Sequence, residues 1–407
     1  MAAAVARAPE RGSRRASGRV ARWSARLGLL LAGLIVPLVL LEAAIRLFGP
    51  VLPGNYSTGT FLAAHPAYGR FHVLGFDGWV KTDEFASRVT TNTLGLRGPE
   101  RPYAKPAGVS RVLVLGDSFV EAAQVQEPEG VVGRLEAALT KRGARAEVLN
   151  VGVGGWGQHQ EYVFLQQEGV RYEPDVVLVQ LYLGNDVYDN SWLLQGKPRS
   201  AREPYFVFDD DNTFRQLEFR SRKPEDVLPV VAMLRERTLL WNVFETGVLQ
   251  KLGASADDDA AERQNRFNLN KMIVHATKPG ERQDEAWKVT VALLRRIREL
   301  GDERGFKTAL VLAPAQFQVY DDAWDTLLRD NKLKRKEWAA DGPNRALAAR
   351  ADEIGMPMLD LLPTFRAESE RGGPPLYFAR DMHWTRDGHA LAAREVAAFV
   401  ERERLLP

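Results

Sequence analysis

The sequence predicts an α/β protein in which a parallel β-sheet lies between layers of helices. Short apolar segments alternate with amphipathic segments of helical length, which indicates a parallel sheet with right-handed crossovers. Residues 112–115 carry no polar side chain, as is typical of a central strand that is covered on both faces. Gly116, Asp117 and Ser118 follow that strand directly, and functional groups in such sheets gather at the carboxyl ends of strands.

From residue 111 onward the alternation predicts the individual elements in chain order. The strands are expected at 112–115, 146–151, 175–183, 308–312 and 356–361. The helices are expected at 129–142, 159–168, 281–303, 334–352 and 386–404. These elements define a main domain over residues 111–407.

The alternation is interrupted between about residues 187 and 280. Residues 205–214 predict a β-hairpin, because acidic turn residues separate two apolar arms. Residues 228–252 form an apolar stretch with helical character, and the acidic run 257–259 is expected to be a solvated loop rather than a metal site. An insertion that leaves the sheet after the end of a strand lies over that edge. We therefore expect a mostly helical lid or substrate-binding subdomain.

The amino-terminal segment predicts a membrane anchor. Residues 1–26 hold seven arginines and one glutamate, and residues 27–41 carry no charged or hydrogen-bonding side chain. Residues 42–48 extend the run, with Glu42 and Arg46 one helical turn apart at the expected far interface, and about 20 predominantly apolar residues are enough to span a bilayer. The basic tail predicts a cytoplasmic amino terminus and an exported domain, either periplasmic or extracellular. A cleaved signal peptide is the alternative, but no small-x-small cleavage site follows the run.

Residues 49–110 are rich in glycine and proline and lack sustained periodicity, so they predict a stalk or amino-terminal extension with short strands. Outside residues 1–26 the net charge is about −4, because the whole chain carries +2 and the tail carries seven positive charges against one negative. That balance argues against nucleic acid as a partner. The chain has no cysteine, which excludes disulfides, thiolate catalysis and cysteine-ligated zinc.

Four sequence blocks at the predicted strand ends carry the residue types that acyl transfer needs. They are Gly116–Ser118, the glycine-rich loop 150–157, residues 184–186 (Gly-Asn-Asp) and residues 381–383 (Asp-Met-His). Acyl transfer requires a hydroxyl nucleophile, an imidazole base, an orienting carboxylate and oxyanion donors. Each block alone also has a structural interpretation, because Ser, Asp and Asn residues cap helices and form turns.

His383 is the best candidate for the base among the six histidines. His65 and His72 precede the sheet, His275 lies in the insertion, and His159 begins a predicted helix. His389 lies one turn into the final helix, where a packed structural role is expected. Gln316, Trp156 and Trp384 are candidates for lining the cleft, although large aromatic side chains are more often packed in a core.

The four blocks resemble those of the SGNH (GDSL-type) hydrolases, a superfamily of esterases, lipases and carbohydrate O-acyl-transfer enzymes. The resemblance covers roughly residues 110–190 and 306–404 and implies a flavodoxin-like three-layer α/β/α fold. It makes Ser118 the nucleophile, His383 the base and Asp381 its partner. It makes Gly155 and Asn185 oxyanion donors beside the Ser118 amide. No cofactor or metal is implied.

The spacing of Asp381 and His383 departs from the commonest pattern of that superfamily, which has three residue steps between the two residues rather than two. The block with Trp384 is more similar to the Asp-x-His-Trp block of the alginate O-acetyltransferase relatives. In those relatives the pair precedes the serine block, so the order here follows the plain hydrolases.

Taken with the predicted anchor, the resemblance implies a membrane-anchored, exported serine esterase or O-acyltransferase. Its substrate is expected to be a small ester or an acylated glycan, with an acetyl ester favoured. The alternative is a catalytically silent protein of the same fold that binds or assembles an exported polysaccharide.

Overall fold

A five-stranded parallel sheet forms the centre of the structure, which is a computed structural model. The structure describes residues 13–48, 56–57, 61–195, 203–217, 238, 240–241 and 271–407. Apart from 238 and 240–241, the predicted helical stretch 228–252 lies outside the described residues, as does the acidic run 257–259.

The strands of the described part are short outside the central sheet. They are β1 (Tyr56–Ser57), β2 (Leu62–His65), β3 (Gly69–His72), β4 (Asp77–Lys81), β5 (Ala86–Thr90), β6 (Ser110–Gly116), β7 (Ala146–Gly152), β8 (Val176–Tyr182), β9 (Phe206–Phe208), β10 (Phe214–Gln216), β11 (Lys307–Ala313) and β12 (Met358–Asp360). The central sheet has the order β12-β11-β8-β6-β7, and all its pairings are parallel.

The α-helices alternate with the strands of the central sheet. They are α1 (Ser13–Phe48), α2 (Ser118–Glu121), α3 (Val131–Lys141), α4 (Gln158–Gln167), α5 (Asp186–Asn190), α6 (Trp192–Gln195), α7 (Glu281–Arg304), α8 (Gln316–Val319), α9 (Asp321–Asp330), α10 (Gly342–Ala348), α11 (Ala351–Ile354), α12 (Leu362–Glu370) and α13 (Arg386–Arg402). Single turns of 3₁₀ helix occur at Glu127–Glu129, Gly169–Tyr172, Ile273–His275 and Arg335–Glu337.

Helices cover both faces of the central sheet, which confirms the three-layer α/β fold. Side chains of a strand alternate between the faces, so Leu113 belongs to one buried cluster and Val112 to the other. The first cluster packs the sheet against α4 and α7, and the second packs it against α3, α12 and α13. β6 pairs with β8 on one side and with β7 on the other, so its carboxyl end lies between the ends of two neighbouring strands.

Residues 61–110 form short strands and contribute buried side chains to the core of the protein. Tyr68, Phe71 and Leu96 are buried in the first cluster, where Phe71 stacks on Trp156 with ring centroids 5.7 Å apart. β2 pairs with β3, and β5 pairs with β4. The apolar side chains of this region are spaced irregularly, so periodicity did not reveal that they are part of the core.

The single helix predicted at 334–352 is wrong. The structure has a 3₁₀ turn at Arg335–Glu337, and α10 begins only at Gly342, with Pro343 in its first turn. Proline is favoured in the first turn of a helix because it has no N–H to donate, and it disfavours helix in the residue before it. The chain therefore starts a new helix at this proline instead of continuing an earlier one.

The predicted hairpin in the insertion is confirmed, because β9 pairs with β10 in the register Phe208 to Phe214. Between them Asn212 has a φ of 65°, a left-handed conformation that asparagine tolerates in turns. The N–H of Asn212 donates to the carbonyl of Asp209 at 2.8 Å.

Helix α1 has 36 residues, and its segment Arg22–Ala44 has a mean hydropathy of 2.4. By length and composition this segment is able to cross a membrane. The most apolar part of this segment is not buried against any other described part of the chain. The helix is therefore a candidate membrane span at the position that the sequence predicted.

Candidate active site

Ser118 lies at the carboxyl end of the central strand β6, as the first residue of α2. The carboxylate of Asp117 accepts a hydrogen bond from the N–H of Phe119 at 2.9 Å and thereby caps this short helix. A Cβ atom on Gly116 would lie 2.4 Å from a methyl carbon of Val120, so the tight turn requires glycine here. The capping interpretation thus applies to Asp117, and it leaves the hydroxyl of Ser118 at the sheet edge.

The structure brings Ser118, His383 and Asp381 into one hydrogen-bonded line. The Nε2 atom of His383 lies 2.7 Å from the Oγ atom of Ser118, and its Nδ1 atom lies 2.7 Å from Oδ1 of Asp381. The imidazole packs against the ring of Phe119 with centroids 4.8 Å apart. These are the contacts that a nucleophile, a base and an orienting carboxylate require.

The short spacing between Asp381 and His383 is accommodated by the residue between them. Met382 has a φ of 66°, a left-handed conformation that is uncommon for residues other than glycine. The loop 378–383 is closed by two backbone hydrogen bonds, from Phe378 N to His383 O at 2.9 Å and from Met382 N to Phe378 O at 3.1 Å. This tight loop turns both side chains toward each other.

The electrostatic environment of His383 favours its protonated form. Burial opposes protonation, but the hydrogen bond and charge of Asp381, together with the charges of Asp117 and Glu121, outweigh burial and raise the pKa of His383 above its usual 6.5. Burial also raises the pKa of Asp117 to about 6. Surrounding carboxylates therefore make His383 a stronger base than a free imidazole.

Asn185 and Gly155 line the same cleft as Ser118. The side-chain amide of Asn185 donates to Oδ2 of Asp189 at 2.6 Å, which fixes its orientation. An amide nitrogen carries two hydrogens, so this bond leaves a second N–H that can donate to a ligand. Gly155 has a φ of 74°, a conformation that glycine adopts without strain.

The glycine loop after β7 packs against α2 and is bonded to Val120 and Glu121 at the end of that helix. A Cβ atom on Gly152 would lie 2.2 Å from the backbone nitrogen of Glu121, so only glycine permits this close passage. The N–H of Gly154 donates to Oε1 of Glu121 at 2.8 Å. Asn150 donates to the carbonyl of Val120 at 2.9 Å, so its side chain ties the loop to α2.

The cleft at this edge has a volume of about 310 Å³. Its walls combine the three polar residues of the hydrogen-bonded line with apolar side chains such as Phe119, Met272 and Phe317. Gln316 lines the cleft as predicted and donates to the carbonyl of Phe378 at 3.1 Å. Met272 lies near the carboxyl-terminal end of the insertion, so that end of the insertion reaches the cleft.

Trp156 and Trp384 do not line the cleft, and their prediction is corrected. Both side chains are fully buried. Trp156 packs on Phe71 in one core cluster, and Trp384 packs on Phe365 in the other. Their large apolar rings follow sheet-edge residues in sequence but fill the core layers beneath that edge, where burial of an aromatic ring is most favourable.

His275 and His389 lie away from the chemistry. His389 is fully buried beneath Trp384, and burial lowers its pKa to about 3. Nδ1 of His275 donates to the carbonyls of Ala339 and Ala340, just before α10, and burial lowers the pKa of His275 to about 4. Within the part of the chain that the structure describes, no group of three or more acidic or histidine side chains is arranged to hold a metal ion.

Several polar residues that lie against the site or its supporting loops belong to no recognisable sequence motif. His72 reaches Glu121 beneath the glycine loop, and Glu84 reaches the backbone of Asp381. Arg97, also buried, donates to the carbonyls of Glu121 and Val125 at the end of α2. All three precede the main domain in sequence, and no motif marks them.

Fold and site together define the class: an α/β domain of the acyl-ester hydrolase or acetyltransferase kind. Residues 274–407 match the family model of the SGNH hydrolase-like domain of the acetyltransferase AlgX. Residues 274–407 are thus similar to an SGNH hydrolase-like domain, and the resemblance to this superfamily is confirmed. The matched region includes Asp381 and His383 and does not extend to Ser118.

Several solved structures are similar to this chain at low sequence identity. LAE5, an α/β hydrolase enzyme from the metagenome of Lake Arreo, Spain, is 12% identical over 74% of this chain and 97% of its own, with a TM-score of 0.39. The acetyl xylan esterase AlAXEase is 12% identical over 71% of this chain and 99% of its own, with a TM-score of 0.36. The psychrotrophic esterase EstA from Pseudoalteromonas sp. is 12% identical over 72% of this chain and 98% of its own, with a TM-score of 0.36. No curated protein sequence matches this chain significantly.

Proposed function

We propose that this protein is a membrane-anchored serine esterase or O-acyltransferase that acts on an acetyl ester outside the cytoplasm. The observation that carries the proposal is the continuous hydrogen-bonded line from Ser118 through His383 to Asp381, with 2.7 Å at each contact. The family match to residues 274–407 supports the same class of chemistry.

In the first half of the reaction, Oγ of Ser118 attacks the ester carbonyl while Nε2 of His383 accepts the hydroxyl proton. Asp381 holds the proton on Nδ1 and stabilises the imidazolium that forms. The negative charge on the carbonyl oxygen is stabilised by the N–H groups of Ser118 and Gly155 and by the second amide hydrogen of Asn185. The alcohol then leaves with the proton from His383, and an acyl-enzyme remains on Ser118.

In the second half, His383 accepts a proton from a second hydroxyl, whose oxygen attacks the acyl carbonyl; the bond from that carbonyl to Oγ of Ser118 then breaks, and His383 returns the proton to Oγ. If water supplies that hydroxyl, the protein is an esterase; if a sugar supplies it, the protein is an O-acyltransferase. The family description as an acetyltransferase domain and the apolar helix α1 support a glycan that is exported or acylated outside the cytoplasm. The basic residues before α1 support a cytoplasmic amino terminus.

The test is turnover of p-nitrophenyl acetate by the full chain in detergent, with labelling by a fluorophosphonate. Ser118→Ala and His383→Ala are each expected to lower turnover at least about a thousandfold, because each removes one member of a unit. Ser369→Ala and His65→Ala, which alter the same residue types away from the cleft, serve as controls and should keep turnover.

Labelling of wild-type protein that is lost in Ser118→Ala would support the proposal. Wild-type turnover in folded Ser118→Ala or His383→Ala protein would overturn it. Absence of both labelling and turnover in the wild-type chain would favour the binding or assembly protein instead. Addition of a glycan acceptor separates the two activities, because transfer alone places the acetyl group on the sugar.

A further inference from the structure

The tip of the β4–β5 hairpin, residues 82–85, lies against the loop that carries Asp381 and His383. The carboxylate of Glu84 accepts hydrogen bonds from two successive backbone N–H groups of that loop. Arg380 N lies 3.0 Å from Oε1 and 3.1 Å from Oε2, and Asp381 N lies 2.7 Å from Oε2. Both carboxylate oxygens therefore contact the backbone of Arg380, and Oε2 also contacts the backbone of Asp381, whose side chain orients His383.

The hairpin tip is itself well fixed. The hydroxyl of Thr82 accepts from the N–H groups of Glu84 and Phe85 at 3.2 Å and 3.3 Å, and Thr82 N donates to Phe85 O at 2.9 Å. The ring of Phe85 packs on Phe378 at the start of the loop, with centroids 5.2 Å apart. Farther along β5, the hydroxyl of Ser87 donates to the carbonyl of Val125 at 2.6 Å. These contacts fix the hairpin tip, and with it the position of Glu84, relative to the rest of the protein.

The loop needs such a support. It holds Met382 in a left-handed conformation, and two internal backbone hydrogen bonds close it. On its other side Gln316 donates to the carbonyl of Phe378. Glu84 contributes the charged contacts, and hydrogen bonds from N–H groups to a carboxylate are about twice as strong as those between neutral groups.

We propose that Glu84 is a positioning residue of the catalytic centre: its carboxylate holds the backbone of Arg380 and Asp381 so that the Asp381 side chain meets Nδ1 of His383. The proposal rests on the function proposed above. The neighbouring ion pair between Asp83 and Arg380, 3.6 Å apart between exposed side chains, does not hold the backbone and is expected to contribute little.

Removal of Glu84 should affect the rate of reaction more than the binding of substrate. Glu84 is not among the residues that line the cleft. Glu84→Ala is therefore expected to lower kcat about 10- to 100-fold with little change in KM, the size of effect produced when a reacting group is misplaced by about 1 Å. Because Asp381 raises the pKa of His383 through their hydrogen bond, a looser contact should also move the acid limb of the rate profile to lower pH.

The experiment compares Glu84→Ala, Glu84→Gln and the control Asp83→Asn in the full chain, with p-nitrophenyl acetate as substrate. Glu84→Gln keeps one oxygen that accepts from a backbone N–H, so it should recover part of kcat and part of the pH shift. Asp83→Asn should behave as wild type. Thermal unfolding of each variant is measured in parallel, and the three variants are expected to unfold within a few degrees of wild type.

Wild-type kcat and an unmoved acid limb in Glu84→Ala would overturn the proposal. It would also be overturned if both Glu84 variants lost activity only in step with lost folding, with the acid limb unchanged. A histidine NMR titration of His383 in wild type and Glu84→Ala provides a readout that does not depend on turnover. If wild-type protein neither reacts with the fluorophosphonate nor turns over ester, the proposed function fails, and an unchanged titration would then overturn the positioning role separately.

Discussion

His72 and Glu121 form a buried hydrogen-bonded pair beneath the glycine loop. Nε2 of His72 lies 2.8 Å from Oε1 of Glu121, and the side chains are only 2% and 4% exposed. Nδ1 of His72 must donate to the carbonyl of Gly95, 2.8 Å away, because a carbonyl oxygen only accepts. Oε1 of Glu121 also accepts from Gly154 N. The pair therefore links β3, outside the main domain, to the loop that carries Gly155.

Glu121→Ala is expected to lower the free energy of unfolding by about 3–5 kcal/mol, the usual cost of removing one partner of a buried pair. The loss should also slow fluorophosphonate labelling, because Gly154 N loses its acceptor beside Gly155. Urea unfolding measures the first effect. Asp77→Ala, which removes an exposed pair with Arg88, is the control and should cost less than about 1 kcal/mol. Equal costs for the two variants would contradict the structural role of the buried pair.

Met382 provides a prediction about the spacing of the Asp381 and His383 block. A left-handed conformation costs a non-glycine residue roughly 1–2 kcal/mol, and a β-branched side chain tolerates it worst. Met382→Gly should therefore keep kcat within about threefold, whereas Met382→Val should lower kcat about tenfold by displacing Asp381 or His383. Met382→Leu controls for the loss of side-chain bulk at the cleft. A Val variant as active as the Leu variant would show that the loop tolerates other conformations.

The blocks at the strand ends could be predicted because the carboxyl ends of parallel strands meet at one edge. This rule places Ser118 and Asn185 at that edge. The block at residues 381–383 could be added because its histidine and aspartate are the residue types that a serine nucleophile needs. The direction of Trp156 could not be predicted in the same way. Whether a ring near the edge faces the cleft or the core depends on which layer has room for it, and that is a property of the assembled fold.

The supporting residues could not be predicted for a different reason. Glu84 and Asp381 are 297 positions apart in the chain. No sequence pattern near either residue indicates that they are in contact. The composition of the segment around Glu84 predicts a stalk, because glycines and prolines outnumber the few apolar residues that enter the core. Sequence patterns describe local elements well, whereas a hydrogen bond from a side chain to a distant backbone leaves no local pattern.

Asp117 should influence the pH dependence of the reaction through its charge. Its carboxylate contributes to the raised pKa of His383, which must be neutral to accept a proton from Ser118. Turnover should therefore rise as the pH increases through the pKa of His383. Asp117→Asn keeps an oxygen that caps α2 but removes the charge, so the acid limb should move to lower pH. Asp387→Asn, an exposed substitution in the first turn of α13, should leave the limb in place. A limb that does not move in Asp117→Asn would exclude this electrostatic contribution.

His389 predicts how acid affects stability. Its pKa is about 3 in the folded chain and about 6.5 when the chain is unfolded, so the folded state favours the neutral ring. A lowered pKa contributes stability that is complete above pH 6.5 and is lost as the pH falls toward 3. Between pH 7 and pH 5 this single group should remove about 2 kcal/mol from the free energy of unfolding, since one pKa unit corresponds to about 1.4 kcal/mol.

His389→Leu replaces the ring with an apolar side chain of similar size in the same contact with Trp384. The fall in unfolding free energy from pH 7 to pH 5 should then be smaller than in wild type by about that amount. His383→Gln tests the sign, because the pKa of His383 is raised and its stabilising contribution increases on acidification. The fall between the two pH values should therefore be larger in His383→Gln than in wild type. Urea unfolding at pH 7 and pH 5 measures this fall in wild type and in both variants. If the fall became smaller in both variants, or larger in both, the assignment of His389 as a buried neutral histidine would be contradicted.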